Sequence, residues 1–137
     1  MLSPIETAKE VAKLLEEGHM CFVERSTRDI TPILLEELNS PENKTKISSI
    51  EHKISNYIKV KEMPNHTLLF NMQDFLEEVT DQDIKRELAT SLKRKKPTRN
   101  FLQVVTSRFD INQHWKLFIT KRYIAYVEKV FITDYNY

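Results

Sequence analysis

Glycine is almost missing from this chain, with one residue, Gly18, in 137. Glycine-rich phosphate loops, the dinucleotide fingerprint and the Gly-x-Ser-x-Gly nucleophile elbow each need two or more closely spaced glycines, so all three are excluded. The same scarcity argues against a β-rich protein full of tight turns with positive φ. Cysteine is equally scarce. Cys21 stands alone, so no internal disulfide forms and a reducing compartment is expected. No run approaches the roughly 20 apolar residues of a membrane-spanning helix. The stretch from Met1 to Glu6 lacks the basic-then-apolar order of a secretory signal. The chain is therefore expected to be soluble and cytoplasmic, with no membrane partner. An excess of one charge is absent too: 21 basic and 20 acidic side chains leave a net +1, which argues against a polyanion-binding arm or an acidic tail.

What is present is a chain with enough apolar residues to bury a core, 40% of the total, and the pattern predicts one domain over residues 1–137. Ser3 as cap, Pro4 at the first helical position and Gly18 as terminator frame a helix whose stripe is Ala8, Val11, Ala12, Leu14 and Leu15. His19–Glu24 has strand composition, and Asp29–Thr31 returns as a second strand before Pro32, giving a hairpin. Residues 33–38 suggest a short helix, and Asn39–Asn43 a loop. Ile47, Ile50, Ile54 and Ile58 fall at helical spacing, and Tyr57–Met63 alternates as a strand that Pro64 ends. Beyond Pro64 the pattern is helical. Asn71 is expected to cap a helix with Met72, Phe75, Leu76 and Val79 on one side. Thr80 with Asp83 marks the next start, with Ile84, Leu88 and Leu92 as its buried face. Pro97 breaks that helix. Phe101, Val104, Val105 and Phe109 carry another, and Trp115–Phe131 the last, with an apolar stripe wide enough for a core helix. The fold class is α+β, helix-dominated, with a small antiparallel sheet.

The order of these features resembles a bacterial group, uncharacterised protein family 0158. The likeness is carried by the helix ending in Gly18, the strand Cys21-Phe22-Val23 and the turn Thr27-Arg28-Asp29-Ile30. It continues through Met72-Gln73-Asp74-Phe75, Leu88–Leu92, Lys95-Lys96-Pro97 and Phe101, and ends with Trp115–Phe118 and Tyr123. Departures are Arg28 where glycine is usual, Ser91 for alanine, and Thr98 where an aromatic commonly follows the proline. The resemblance implies a soluble bacterial domain and supplies no catalytic or binding residues.

Candidate sites come from the residues themselves. His19 and Cys21, two apart on a strand, share a face and could form an imidazole–thiolate pair; burial of Cys21 in the sheet is the simpler account. His52, His66 and His114 are isolated from one another, which is not metal-ligand spacing. Asp74, Glu77, Glu78, Asp81 and Asp83 could hold a hard cation, but they also suit helix N-termini and a solvated face, and no glycine is available for a calcium loop. Lys93, Arg94, Lys95 and Lys96, followed by Arg99, form the strongest feature outside the core. They could contact phosphates, or simply complement a helix C-terminus. The aromatic C-terminal part, including Tyr135 and Tyr137, mostly fits a core helix, with those two left to pack on a partner or on the sheet.

The expected function is a non-enzymatic protein-interaction or regulatory module with an unidentified protein partner and no cofactor. Nucleic-acid binding through residues 93–99 is the first alternative. An adaptor of the cell-wall-synthesis-regulator or immunity type, comparable by size and class alone, is the second, and an enzyme site assembled from scattered residues such as Cys21 and a histidine the third. The oligomeric state is left open. Charge is unevenly distributed along the chain: residues 1–84 carry 9 basic and 16 acidic side chains, residues 85–137 carry 12 and 4. A basic C-terminal face, or head-to-tail association of unlike faces, is compatible with the neutral total.

Overall fold

Ser3 accepts a hydrogen bond at Oγ from the Glu6 amide at 3.1 Å and starts helix α1, Pro4–Glu16. Gly18 follows the helix at φ +93°, a conformation that strongly favours a residue without a β-carbon. The structure, a computed structural model, describes residues 2–135, the side chain of Tyr135 excepted. Among these residues are six α-helices and three strands. The fold is α+β and helix-dominated, as composition and periodicity predict. The chain forms two compact units, one gathering the chain up to Glu62 and from Tyr123 onward, the other Met63–Arg122.

In the first unit, strands β1 (His19–Glu24), β2 (Ile30–Leu34) and β3 (Tyr57–Val60) form an antiparallel sheet in the order β2-β1-β3. The second strand does not stop before Pro32. Pro32 sits opposite Cys21 and the strand runs on to Leu34, because β2 is an edge strand, where a missing N–H is tolerated. The hairpin loop closes through Arg28 N–H to Glu24 O at 2.8 Å and Glu24 N–H to Asp29 O at 2.9 Å. Arg28 closes it at φ +63°.

Both faces of β1 are buried. Cys21 and Val23 pack with Ala8, Val11, Ala12 and Leu15 of α1 and with Val127 and Phe131. Met20 and Phe22 pack on the opposite face with Ile33 and Ile50. Residues 33–38 are not a helix: Ile33 and Leu34 complete β2, and Leu35–Glu37 makes a single 3-10 turn. The expected loop Asn39–Asn43 is largely a helix start. Ser40 caps helix α2, Pro41–Glu51, with Pro41 at its first turn and Asn43 N–H on Ser40 Oγ at 3.2 Å. A Ser-Pro pair signals a cap as readily as a turn. The isoleucine series divides accordingly. Ile47 and Ile50 lie in α2, Ile54 in a 3-10 turn, and Ile58 in β3, which ends at Val60, short of Met63.

The second unit holds α3 (Asn65–Leu76), α4 (Gln82–Leu92), α5 (Pro97–Thr106) and the first half of α6 (Phe109–Tyr135). Asn71 does not cap α3. It lies inside the helix, buried, and its Nδ2 donates to Met63 Sδ at 3.2 Å while its Oδ1 accepts from Arg122. Pro64, read as the end of a strand, also opens this helix, and Val79 falls outside it. Asp81 caps α4 in place of Thr80, its Oδ1 accepting from the Asp83 and Ile84 amides at 2.9 and 3.2 Å. Pro97 does not break α4, which ends at Leu92. It opens α5. Phe109 begins α6 and is exposed, so it is not part of the α5 core face.

Phe75 is fully buried and meets the rings of Phe101, Trp115 and Phe118 at centroid distances of 6.3, 5.3 and 5.2 Å. Edge-to-face aromatic pairs of this kind contribute roughly 0.5–1.5 kcal/mol each beyond their buried area. The wide stripe on α6 serves two cores. Trp115, Phe118 and Ile119 are buried in the second unit, while Val127 and Phe131, with Tyr123 and Tyr126 half-buried, belong to the first. Tyr135 is the last residue of α6 and does not lie beyond the helix. Tyr137 lies outside the described residues.

Candidate functional site

Cys21 is a core residue. Its side chain is fully buried, and desolvation, with a smaller contribution from Glu10, pushes the thiol pKa up to about 12. The thiolate that nucleophilic chemistry needs is therefore strongly disfavoured. His19 is half-buried and its Nδ1–H donates to the Leu14 carbonyl at 3.1 Å, an acceptor that fixes the tautomer. His114 Nε2 lies 3.1 Å from Glu78 Oε1, and its ring packs edge-on against Phe75 at 4.8 Å. His52 and His66 are exposed. No group of three or more His, Cys, Asp or Glu side chains among the described residues could hold a metal ion.

The acidic set is largely occupied within the protein. Asp74 accepts from Arg122 Nη1 at 2.9 Å, and the same guanidinium lies over the Phe118 ring at 4.7 Å. Glu78 meets His114, Asp81 caps α4, and Asp83 pairs with Arg86 at 3.5 Å. These carboxylates stabilise helix ends and tie α3 to α6.

The basic run has a different fate. The chain reverses in four residues between α4 and α5, and Glu87 of α4 reaches Arg108, just past α5, at 3.0 Å. The two helices thus form an αα-hairpin, with Lys93, Arg94, Lys95 and Lys96 at its tip and Arg99 on the first turn of α5. Lys96 takes up the left-handed conformation, φ +54°, that lets the chain turn. Asn100 Nδ2 donates to the Lys95 carbonyl at 2.7 Å, and Thr98 Oγ1 donates to Asn65 Oδ1 at 2.9 Å. The tip is held by side chains other than its cations. All five cations are exposed, and among the described residues none forms an ion pair. Part of the charge complements the C-terminal dipole of α4, but Lys96 and Arg99 stand at the N-terminus of α5, where a helix dipole opposes positive charge.

Charge counted by unit is less uneven than charge counted along the chain. Met63–Arg122 carries 11 basic and 7 acidic residues, because the acidic set shares this unit with the basic run. The two groups sit at opposite ends of α4, and the acidic end is engaged while the basic end is open. Two clefts border α5. One, of about 460 Å³, runs along α4 and is lined by Asp83, Arg86, Glu87, Arg94, Asn100 and Gln103 among others. The other, of about 650 Å³, opens toward the start of α3 and takes in Asn65, Lys96, Arg99, Leu102 and again Gln103. The spacing of the basic run was legible in the sequence. Gln103 and the Asn65–Thr98 tie were not, since neither carries charge. A usable signal was there nonetheless: α5 contains no carboxylate.

A family model described as Uncharacterised protein family (UPF0158) matches residues 8–132. The chain belongs to this family. No curated protein and no solved structure matches it. Most residues that carry the family likeness are core: Cys21, Phe22, Val23, Met72, Phe75, Leu88, Phe101 and Trp115 are all buried. The departures from the family pattern acquire a physical meaning. Arg28 replaces the usual glycine at a position with φ +63°, and Thr98 replaces an aromatic with the hydroxyl that binds Asn65. No helix of the described residues is long and apolar enough to cross a membrane.

Proposed function

We propose that this member of the family is a non-enzymatic, regulatory binding module whose working surface is the basic tip of the α4–α5 hairpin and whose ligand is nucleic acid. The observation that carries this reading is the contrast within one unit: four of the five carboxylates at one end of α4 have partners inside the protein, while Lys93, Arg94, Lys95, Lys96 and Arg99 at the other end form no ion pair among the described residues. Five exposed cations within seven residues concentrate positive potential at the tip, which favours a polyanionic ligand. Phosphates contacted by such a cluster release condensed counterions, which supplies affinity without base contacts.

The test is binding of mixed DNA and RNA at low salt by the wild-type chain and by the double variant Lys95→Glu/Lys96→Glu. Loss of at least tenfold in affinity on charge reversal supports the reading, and affinity unchanged by it removes it.

A second reading keeps a protein partner. It is favoured by Phe109 and Leu117, 77% and 68% exposed on α6, and Phe70, 63% exposed on α3. Charge reversal at the tip leaves that interaction intact, whereas Leu117→Lys weakens it, and a pull-down with both variants separates the two.

A further inference from the structure

α5 is a ridge between two clefts, and Gln103 lines both of them, which places it at the crest. Its exposed residues are Arg99, Gln103 and Thr106, spaced i, i+4, i+7 along one helix face. That face is opposite Phe101 and Val105, which anchor the helix in the core. No carboxylate occurs in α5 itself, and the two that line the cleft along α4, Asp83 and Glu87, are each paired with an arginine, Arg86 at 3.5 Å and Arg108 at 3.0 Å. Cations stand on both sides of the crest: Arg94 in the cleft along α4, Lys96 and Arg99 in the cleft toward α3. The Gln103 side-chain amide makes no hydrogen bond among the described residues, whereas the Asn100 amide is spent on the Lys95 carbonyl.

Resting on the nucleic-acid reading above, we infer that α5 reads the major groove of duplex DNA, with Gln103 and Arg99 facing base edges. Arg94 on one side and Lys96 on the other would face the two phosphate backbones. A helix with side chains is about 10–12 Å across and the major groove about 12 Å wide, so a surface helix bordered by clefts matches the groove in width. Glutamine pairs in bidentate fashion with adenine N6 and N7, and arginine with guanine O6 and N7. Single-stranded ligands are less well served, because the exposed face of α5 carries no aromatic side chain on which bases stack.

The experiment is selection from a random duplex DNA pool with the full chain, followed by affinity measurements on the selected and scrambled duplexes and on single-stranded and duplex RNA. The expected result is an enriched motif with preference over the scrambled duplex. In Gln103→Ala, that preference falls by about tenfold or more while affinity for the scrambled duplex is kept. Lys95→Glu/Lys96→Glu lowers affinity for both. Binding that is sensitive to charge reversal but shows no enriched motif, a preference untouched by Gln103→Ala, or a preference for RNA each overturns the base-reading role and leaves the nucleic-acid reading standing. Absence of binding to any nucleic acid overturns both.

Discussion

The Thr98 hydroxyl donates to Asn65 Oδ1 at 2.9 Å, joining the first turn of α5 to the first turn of α3. The bond spans 33 residues of sequence and anchors the helix that leaves the basic tip. An exposed neutral hydrogen bond contributes at most about 1 kcal/mol. Thr98→Val is therefore expected to lower stability by up to that amount in urea unfolding. It should also speed hydrogen exchange in the first turn of α5 more than elsewhere. Uniform loss of protection, or none, would show that the bond does not hold this turn.

Arg28 closes the β1–β2 hairpin at φ +63°, where a β-carbon is penalised and glycine is not. Arg28→Gly is expected to raise stability by up to about 1 kcal/mol. The gain is partly offset by loss of the bond from Arg28 Nη1 to the Leu2 carbonyl at 3.2 Å. The urea midpoint should rise with an unchanged m-value. A lower midpoint would mean that the arginine contacts outweigh the backbone penalty.

Asp81 Oδ1 accepts from two amides at the start of α4. Asp81→Ala is expected to cost about 1 kcal/mol and Asp81→Asn much less, because asparagine caps nearly as well. Thermal unfolding with and without millimolar magnesium or calcium checks the assignment. A midpoint raised by either ion in the wild type and not in Asp81→Ala would turn the acidic set into a cation site.

Burial raises the Cys21 thiol from 9.0 to about 12, which makes a signed prediction. The unfolded thiol ionises above pH 9 while the folded one stays protonated. Its contribution to stability is thus fully present below pH 9 and is lost as pH rises toward 12. At pH 10 the loss is about 1 kcal/mol. Lysines and tyrosines titrate in the same range, so the quantity to measure is the difference in pH dependence between wild type and Cys21→Ala. A thiol reagent should react at pH 8 only in denaturant, and rapid labelling of the folded chain would contradict the buried assignment.

Much of the fold was legible because it rests on periodicity and capping chemistry that act locally. Ser3, Pro4 and Gly18 bound α1 within a residue or two, and the apolar stripes of α4 to α6 supply Leu88, Phe101, Val105 and Trp115 to the core. Three prolines differ from the pattern because proline has two local meanings. In the sequence Pro32, Pro64 and Pro97 read as terminators. In the structure the first sits inside an edge strand and the other two open helices. Asn71 has the chemistry of a cap, but it is buried and bonded to Arg122, 51 residues away, a contact no local pattern encodes. The basic run was visible as a run. That its cations are unpaired, while the acidic set is engaged, depends on Arg122, His114 and Arg86 arriving from other positions. The sharp charge contrast along the chain is softer by unit, because the acidic set and the basic run both lie in Met63–Arg122.

The most direct test of the central claim is the salt dependence of duplex DNA affinity, measured by fluorescence anisotropy between 50 and 200 mM salt, ranges over which phosphate contacts declare themselves. If three to five cations of the tip meet phosphates, the slope of log affinity against log salt is about −3 to −4.5 for the wild type. It should become shallower by about 2 in Lys95→Glu/Lys96→Glu. A slope near zero, or one identical in the two proteins, would contradict a nucleic-acid role for the α4–α5 tip.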